Sequence, residues 1–382
     1  MDRVTRSIIS IIMFLLSLCS ITYTYAQESD DTEVSHKRDG TPYTDDDIVE
    51  NILIKKNGKY YKKKLSYVTP MDFGAKGDGK SDDSKAFMSA LNYAAKNNLS
   101  TVYLNGEYVY NLNNSVIDIP SRLVLKFDGA IVKNGKLKGY NTSILADPVK
   151  IFDNIELMGN YIEGGNVFVE WFGTFPNDIH SVDLKTSLEK LNTVYFNIKL
   201  NSGIYYTKEG NISLKGIKGV SQNKTFIEFN TNESDKHLFH IGKVGGTVAE
   251  RTYESNTLES VALVLSSSKR TISNTLLIVG ASHKSIIRDV KFVMNAPYTS
   301  ITASELSQMA LNEKLIDMAN VAIAFDGSSE LTILENIFTL SDIGIKFSTN
   351  TDFVNIRNYT SWNEKNGFAS VYFADTTISN VL

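Results

Sequence analysis

Apolar residues in the last third of the chain return at a fixed interval. Ile323 and Phe325 recur as Ile345 and Phe347, Leu331 as Phe353, and Leu334 as Ile356 and then Ile378. Asn336, Asn358 and Asn380 keep the same spacing, as do Ile337, Tyr359 and Val381, and every interval is 22 residues. Within a period the apolar side chains alternate two apart, so the pattern predicts a solenoid whose strands stack about 4.8 Å apart. Strands buried on one side need such positions in register. The asparagines then form a ladder, each amide bonded to the next rung, which is a structural use. Residues 276–279 and 286–290 fit the same template. From Asp289 to Asn336 is 47 residues, about two periods, and residues 303–316 read as a helical excursion that, with Tyr298, borders a groove or covers a flank.

Earlier in the chain the periodicity changes. Ile52-Leu53-Ile54 and Lys59-Tyr60-Tyr61 flank Asn57-Gly58, a tight hairpin signal, and six lysines between 55 and 64 decorate it as a solvated face. Turn residues then run from Asp72-Phe73-Gly74-Ala75 through Gly77, Asp78 and Gly79 to Ser81, Asp82 and Asp83. Ser81 is placed to cap a helix with both aspartates in its first turn, and Ala86, Phe87, Ala90, Leu91 and Ala94 recur at helical spacing behind it. Strands follow around Leu104-Asn105-Gly106-Glu107-Tyr108 and over 123–127. Ninety-nine residues after Phe73-Gly74, Phe172-Gly173 follows Trp171; Leu184, Leu188 and Leu191 give a short amphipathic helix, and Leu200 to Tyr205 answers Leu104 to Tyr108. Three elements in the same order read as a degenerate second copy.

The run over 72–87 with its Leu104 to Tyr108 turn resembles the opening of the pectate-lyase superfamily domain of rhamnogalacturonase-like and epimerase-like enzymes. That resemblance implies an all-β, right-handed parallel β-helix with short capping helices, and an activity on polysaccharide. The segment builds the first turn in that family and supplies no catalytic group. Hydrolases of the superfamily carry aspartates followed by histidine-glycine and arginine-lysine motifs, which this sequence lacks. Its calcium-dependent lyases cluster acidic residues in a groove; here such residues are scattered, apart from Asp78, Asp82 and Asp83. No cofactor is identified, and calcium is the one that the resemblance would admit.

Composition narrows the partners. The 382 residues carry 39 basic and 43 acidic side chains, a net charge of -4, so no positive field is available for a nucleic-acid backbone. Arg3 and Arg6 precede an apolar run from Ile8 to Ile21, and Thr24-Tyr25-Ala26 suits signal-peptidase cleavage after Ala26. That run is shorter than the roughly 20 residues a membrane-crossing helix needs. The single cysteine, Cys19, lies inside it beside bulky Leu18, which argues against a lipoprotein anchor, and the mature chain has no thiol for a disulfide. His237 and His240 form the one close histidine pair and read as strand-end residues rather than metal ligands.

The expected organisation is a signal peptide over 1–26, an acidic linker of little order over 27–49, a hairpin lead-in over 50–67, a first module over 68–170, a degenerate second over 171–230, and coils over 231–382. The last coil stops without a cap, so further coils or another chain would cover its edge by self-association. With inward positions assigned, Glu335 falls beside Arg357 on the outside, with Ser379 next and Arg288 further back; Lys346 and Tyr372 project from the preceding strand, and Asp326 and Asp352 sit at strand ends. Glu335, Arg357, Asp326 and Lys346 are the catalytic candidates. A carboxylate pair can protonate a glycosidic oxygen and activate water, whereas a base beside a cation can drive β-elimination from a uronate. Glu335 and Arg357 also fit an ordinary cross-strand ion pair. A secreted protein that cleaves an acidic, uronate-containing polysaccharide is the leading expectation, and a non-catalytic glycan-binding or surface-fibre module is the alternative.

Overall fold

Alternation of period two produces strands, and the computed structural model shows where they pair. It describes residues 32–36, 41–42, 53–56, 59–62, 67–267, 274–295, 319–349, 351–361, 369–373 and 378–381. The signal-peptide segment, Asn57-Gly58, Tyr298 and the excursion over 303–316 lie outside the described residues. The chain divides into two units. In the N-terminal unit, Leu53–Lys56 pairs antiparallel with Lys59–Lys62, whose other edge takes Thr32–Val34. Part of the stretch expected to be linker is therefore a strand.

The second unit is a parallel β-helix. Its pairings between named strands are all parallel: one six-stranded sheet in the first module, then a nine-stranded long sheet and a six-stranded short sheet that share the later coils, among the described residues. Val321–Phe325 pairs with Ile343–Phe347, and Ser329–Leu340 with Thr351–Ser361, in both cases 22 residues on. Corners set the cross-section. Leu331 and Phe353, both at φ 54°, and Asn336 and Asn358, at 55° and 51°, turn the long strands left-handed, and each corner resets the alternation. Ser329, Thr332, Leu334, Ile337 and Thr339 consequently point inward, and Glu330 and Glu335 point out. Aromatic rings stack along the short sheet: Phe325 to Phe347 at 4.6 Å and Phe347 to Phe373 at 5.1 Å, within 12° of parallel. Each such pair adds about 0.5–1.5 kcal/mol beyond burial.

Register corrects the sequence reading in four places. Asp289 and Asn336 are one coil apart, not two, because Arg288 pairs with Glu335 and Val290 with Ile337. The last coil is longer than 22 residues: Ile343 pairs with Ala369, Thr351 with Ile378, and Val354 with Val381. Ile378 and Val381 are therefore not partners of Ile356 and Tyr359, and Asn380 does not join the asparagine ladder. That ladder ends on Asp289 instead, whose Oδ1 accepts from Asn336 Nδ2 at 2.8 Å while Asn336 Oδ1 accepts from Asn358 Nδ2 at 2.9 Å. Leu331 and Phe353 are corner residues, 42% and 49% exposed, not core.

Two helices pack in the modules: α1 (Ser84–Lys96) buries Ala86, Phe87, Ala90, Leu91 and Ala94, and α2 (Leu184–Asn192) buries Leu184, Leu188 and Leu191. Ser81 does not cap α1; its hydroxyl donates to Asp78 Oδ2 at 2.9 Å, and the helix starts after Asp83. The Asp83 carboxylate accepts from the amides of Lys76 (2.7 Å), Gly77 (3.3 Å) and Asn111 (3.4 Å). One hundred residues on, Asp183 caps α2 by accepting from Lys185 N at 2.9 Å and reaches the following strand through Thr207 Oγ1 at 2.8 Å and Lys208 N at 3.0 Å. Gly74 and Gly173 precede these helices at φ 86° and 92°.

Candidate functional site

Outward side chains of the long sheet line up because the strands pair in register. Lys218, Glu259, Arg288, Glu335 and Arg357 are successive partners on five rungs, and their charges alternate. Lys218 Nζ lies 3.1 Å from Glu259, Arg288 Nη1 3.9 Å from Glu259, and Arg288 Nε 2.6 Å from Glu335 Oε2. The bond to Glu335 raises the pKa of Arg288. Glu335 is thus held by the arginine behind it. Arg357 is its neighbour on the ladder but turns away, Nε donating to Asn355 Oδ1 at 3.1 Å within its own strand.

The four catalytic candidates do not converge. Lys346 stands on the short sheet between Ala324 and Tyr372 of the adjoining rungs. Asp326 follows the strand Val321–Phe325, where its backbone accepts from Gly245 N and donates to Val279 O. Among the described residues no hydrogen bond or ion pair joins either of them to Glu335 or Arg357. Ser379 pairs with Asp352 rather than with Arg357.

A second cluster, of which only Asp352 was read in the sequence, forms before the first corner. The turn Val248–Glu250 carries a capping box: Thr247 N donates to Glu250 Oε2 at 3.0 Å, and Lys243 bonds the same carboxylate. These contacts hold Glu250 well below the usual carboxylate range, with a pKa of about 2, the Lys243 bond contributing most. The box delivers Arg251 with its side chain only 11% exposed. Its Nε donates to Ser328 O at 2.7 Å, Nη1 to Glu330 Oε2 at 2.9 Å, and Nη2 lies 3.7 Å from Asp352 Oδ2. Glu330 and Asp352 are register partners on adjacent rungs. His283 Nδ1 lies 3.3 Å from Glu330 Oε2, and the Tyr253 ring sits 5.5 Å from the imidazole with 77% of its surface exposed. Gly327, at φ 143°, shapes the turn into Glu330: a Cβ there would meet Ala281 N at 2.5 Å.

The Thr247-Val248-Ala249-Glu250 box was a readable start signal immediately before Arg251. The partnership of Arg251 with Glu330 was hidden because it crosses an intervening coil and 79 residues of sequence. Chemically the cluster offers an exposed ring, an imidazole and two carboxylates gathered by one guanidinium, on an open face. Pockets of about 450 Å³, between Lys185 and His237, and about 510 Å³, beside Lys136 and Lys190, contain no residue of either column. His237 borders the first; its imidazole pKa is pushed down to about 4, chiefly by burial and further by His240.

No protein-family model matches the chain, and no curated protein matches it. Solved structures similar to it include the tailspike protein of Acinetobacter baumannii phage AM24 (11% identity, 92% of this chain and 64% of that chain, TM-score 0.30). PfbA, a surface adhesin of Streptococcus pneumoniae, is 10% identical over 82% of this chain and 93% of its own, with a TM-score of 0.25. Pantoea stewartii WceF, a glycan biofilm modifying enzyme with a bacteriophage tailspike-like parallel β-helix fold, is 10% identical over 86% of this chain and 42% of its own, with a TM-score of 0.18. At these values the likenesses carry no argument about function.

Proposed function

We propose that this chain is a secreted carbohydrate-binding β-helix of the pectate-lyase type that holds an acidic polysaccharide on the outer face of its long sheet. One observation carries the reading: the charged groups there already neutralise one another, while Tyr253, Leu331 and Phe353 stand exposed beside them. A ring bordered by hydrogen-bonding side chains suits the apolar face and hydroxyl edge of a sugar. Arg357, whose guanidinium makes no ion pair among the described residues, supplies a partner for a uronate carboxylate. Export rests on the basic and apolar N-terminal run, and kinship rests on the motif over 72–87.

Cleavage is the second reading, favoured by Glu330 and Asp352 on adjacent rungs, a spacing compatible with a two-carboxylate hydrolysis. A panel of acidic and neutral polysaccharides, scored for binding, new reducing ends and ultraviolet absorbance of unsaturated uronates, separates the readings. Binding without product is expected, weakened about tenfold by Tyr253→Ala. Reducing ends without absorbance, lost in Glu330→Gln, would establish hydrolysis instead, and absorbance would establish elimination. No binding to any acidic polymer would end the proposal.

A further inference from the structure

The interior of the long sheet is not uniformly aliphatic. Next to the asparagine corner, Leu258, Ile287 and Leu334 form a dry column with no exposed surface. Behind the Leu331 corner the inward side chains are hydroxyls. Thr252 pairs in register with Ser282 and Ser329 with Thr351, and a second column of Asn256, Ser285 and Thr332 runs beside them. Ser282, Ser285, Ser329, Thr332 and Thr351 have no exposed surface either. Some of these groups find protein partners: Ser282 Oγ lies 3.3 Å from Ser285 Oγ, and Thr351 Oγ1 donates to Thr349 O at 3.1 Å. Three do not. Thr252 Oγ1, Ser329 Oγ and Thr332 Oγ1 are buried with no hydrogen-bond partner among the described residues.

A hydroxyl removed from water and left without a bond costs more than the methyl that would fill the same space. Three of them gathered in one strip therefore point to something bound there. Ser329 and Thr332 repeat the three-residue spacing of Ser282 and Ser285, so that hydroxyls of neighbouring rungs face one another. Serine and threonine side chains are shorter than the leucines of the neighbouring column, and enclosure, small side chains and polar walls are the conditions under which an interior holds water. The groups of the strip are neutral hydroxyls and one amide, which suits water better than an ion.

We propose that the inside of this corner binds a file of ordered water molecules, anchored on Thr252 Oγ1, Ser329 Oγ and Thr332 Oγ1. Ser329 lies just before the left-handed kink at Leu331 and Thr332 just after it, so the water ties the two arms of the corner together directly behind Glu330.

Crystals of the full chain, at a resolution that shows solvent, should reveal a water oxygen within hydrogen-bonding distance of each of the three hydroxyls. Thr332→Val keeps the side chain's shape and removes its anchor. If water is bound, the variant's unfolding equilibrium constant rises about fivefold in urea titrations, because a bridged hydrogen bond is lost. If the strip is dry, deleting an unsatisfied hydroxyl stabilises the protein. Absence of solvent density at the three hydroxyls, or a Thr332→Val protein more stable than the parent, would overturn the proposal.

Discussion

Arg251→Ala removes the group on which the corner cluster converges, and the cost can be worked from its contacts. The bond from Nε to Ser328 O, made by a side chain 11% exposed, is worth about 1 kcal/mol. Breaking a fully buried ion pair costs about 3–5 kcal/mol and an exposed one less than about 1. Glu330 and Asp352 retain 29% and 44% of their side-chain surface, so both pairings together sit near the lower end, about 1.5 kcal/mol. The expected loss is about 2–3 kcal/mol. Arg251→Lys keeps the charge but cannot reach three acceptors, and should lose about half as much. Solenoids open in local units, so amide hydrogen exchange along Ser329–Leu340 should report the loss alongside urea titration. Glu335→Gln is the control: on that more open strip it should cost about 0.5–1 kcal/mol and shrink further with added salt. An Arg251→Ala protein within about 0.5 kcal/mol of the parent would refute the view that this guanidinium organises the corner.

Three further outcomes are expected. Asn336→Ala should cost about 2 kcal/mol by urea titration, from two ladder bonds and a left-handed φ of 55°, whereas Asn336→Gly, relieved of the backbone term, should cost about half of that. His237 has its pKa lowered to about 4 by burial, so its contribution to stability is complete above the unfolded value near 6.5 and is lost as pH falls towards 4; His237→Gln should flatten the thermal midpoint across that window. Glu170 is raised by burial, although Tyr205 and Asn201 donate to Oε1 at 2.7 and 2.9 Å, so its favourable contribution exists at low pH and disappears as pH rises through its folded pKa. Glu170→Gln should therefore raise the thermal midpoint at pH 7 and leave it unchanged near pH 4.

The parallel β-helix was legible because a 22-residue period with two-residue alternation leaves few alternatives, and the coil from Val321 to Phe347 follows it to the residue. What failed was the extrapolation of that period. Ile378 matches Ile356 in type and spacing, yet the coil before it is 26 residues by its short-sheet pairing, Phe347 with Phe373, and the extra length moves Ile378 opposite Thr351. Apolar identity alone cannot register a strand when turn lengths vary. Leu331 and Phe353 misled for a related reason, since a left-handed corner exposes a side chain whatever its hydropathy, and large residues are poor advertisements for that conformation. The strip of Lys218, Glu259, Arg288, Glu335 and Arg357 was partly foreseen, but the choice of partner was not: strand pairing places Glu335 equally beside Arg288 and Arg357, and rotamers decide.

That decision bears on function. A general acid or base needs an oxygen free to meet substrate, and a carboxylate locked to a guanidinium at 2.6 Å offers one poorly. Glu335 is engaged by Arg288 and Glu330 by Arg251 and His283, so a catalytic cycle through either would first have to break a charged contact. Left-handed backbone at a bulky residue costs about 1–3 kcal/mol, and it occurs twice in register, at Leu331 and Phe353, on the outside of the sheet where neither side chain is recovered as core. The turn geometry of the coil accounts for that backbone, since each left-handed residue sets a corner between two arms of the long sheet. The same two corners lie next to Glu330 and Asp352, which places exposed apolar side chains and fixed charges along one edge of the sheet.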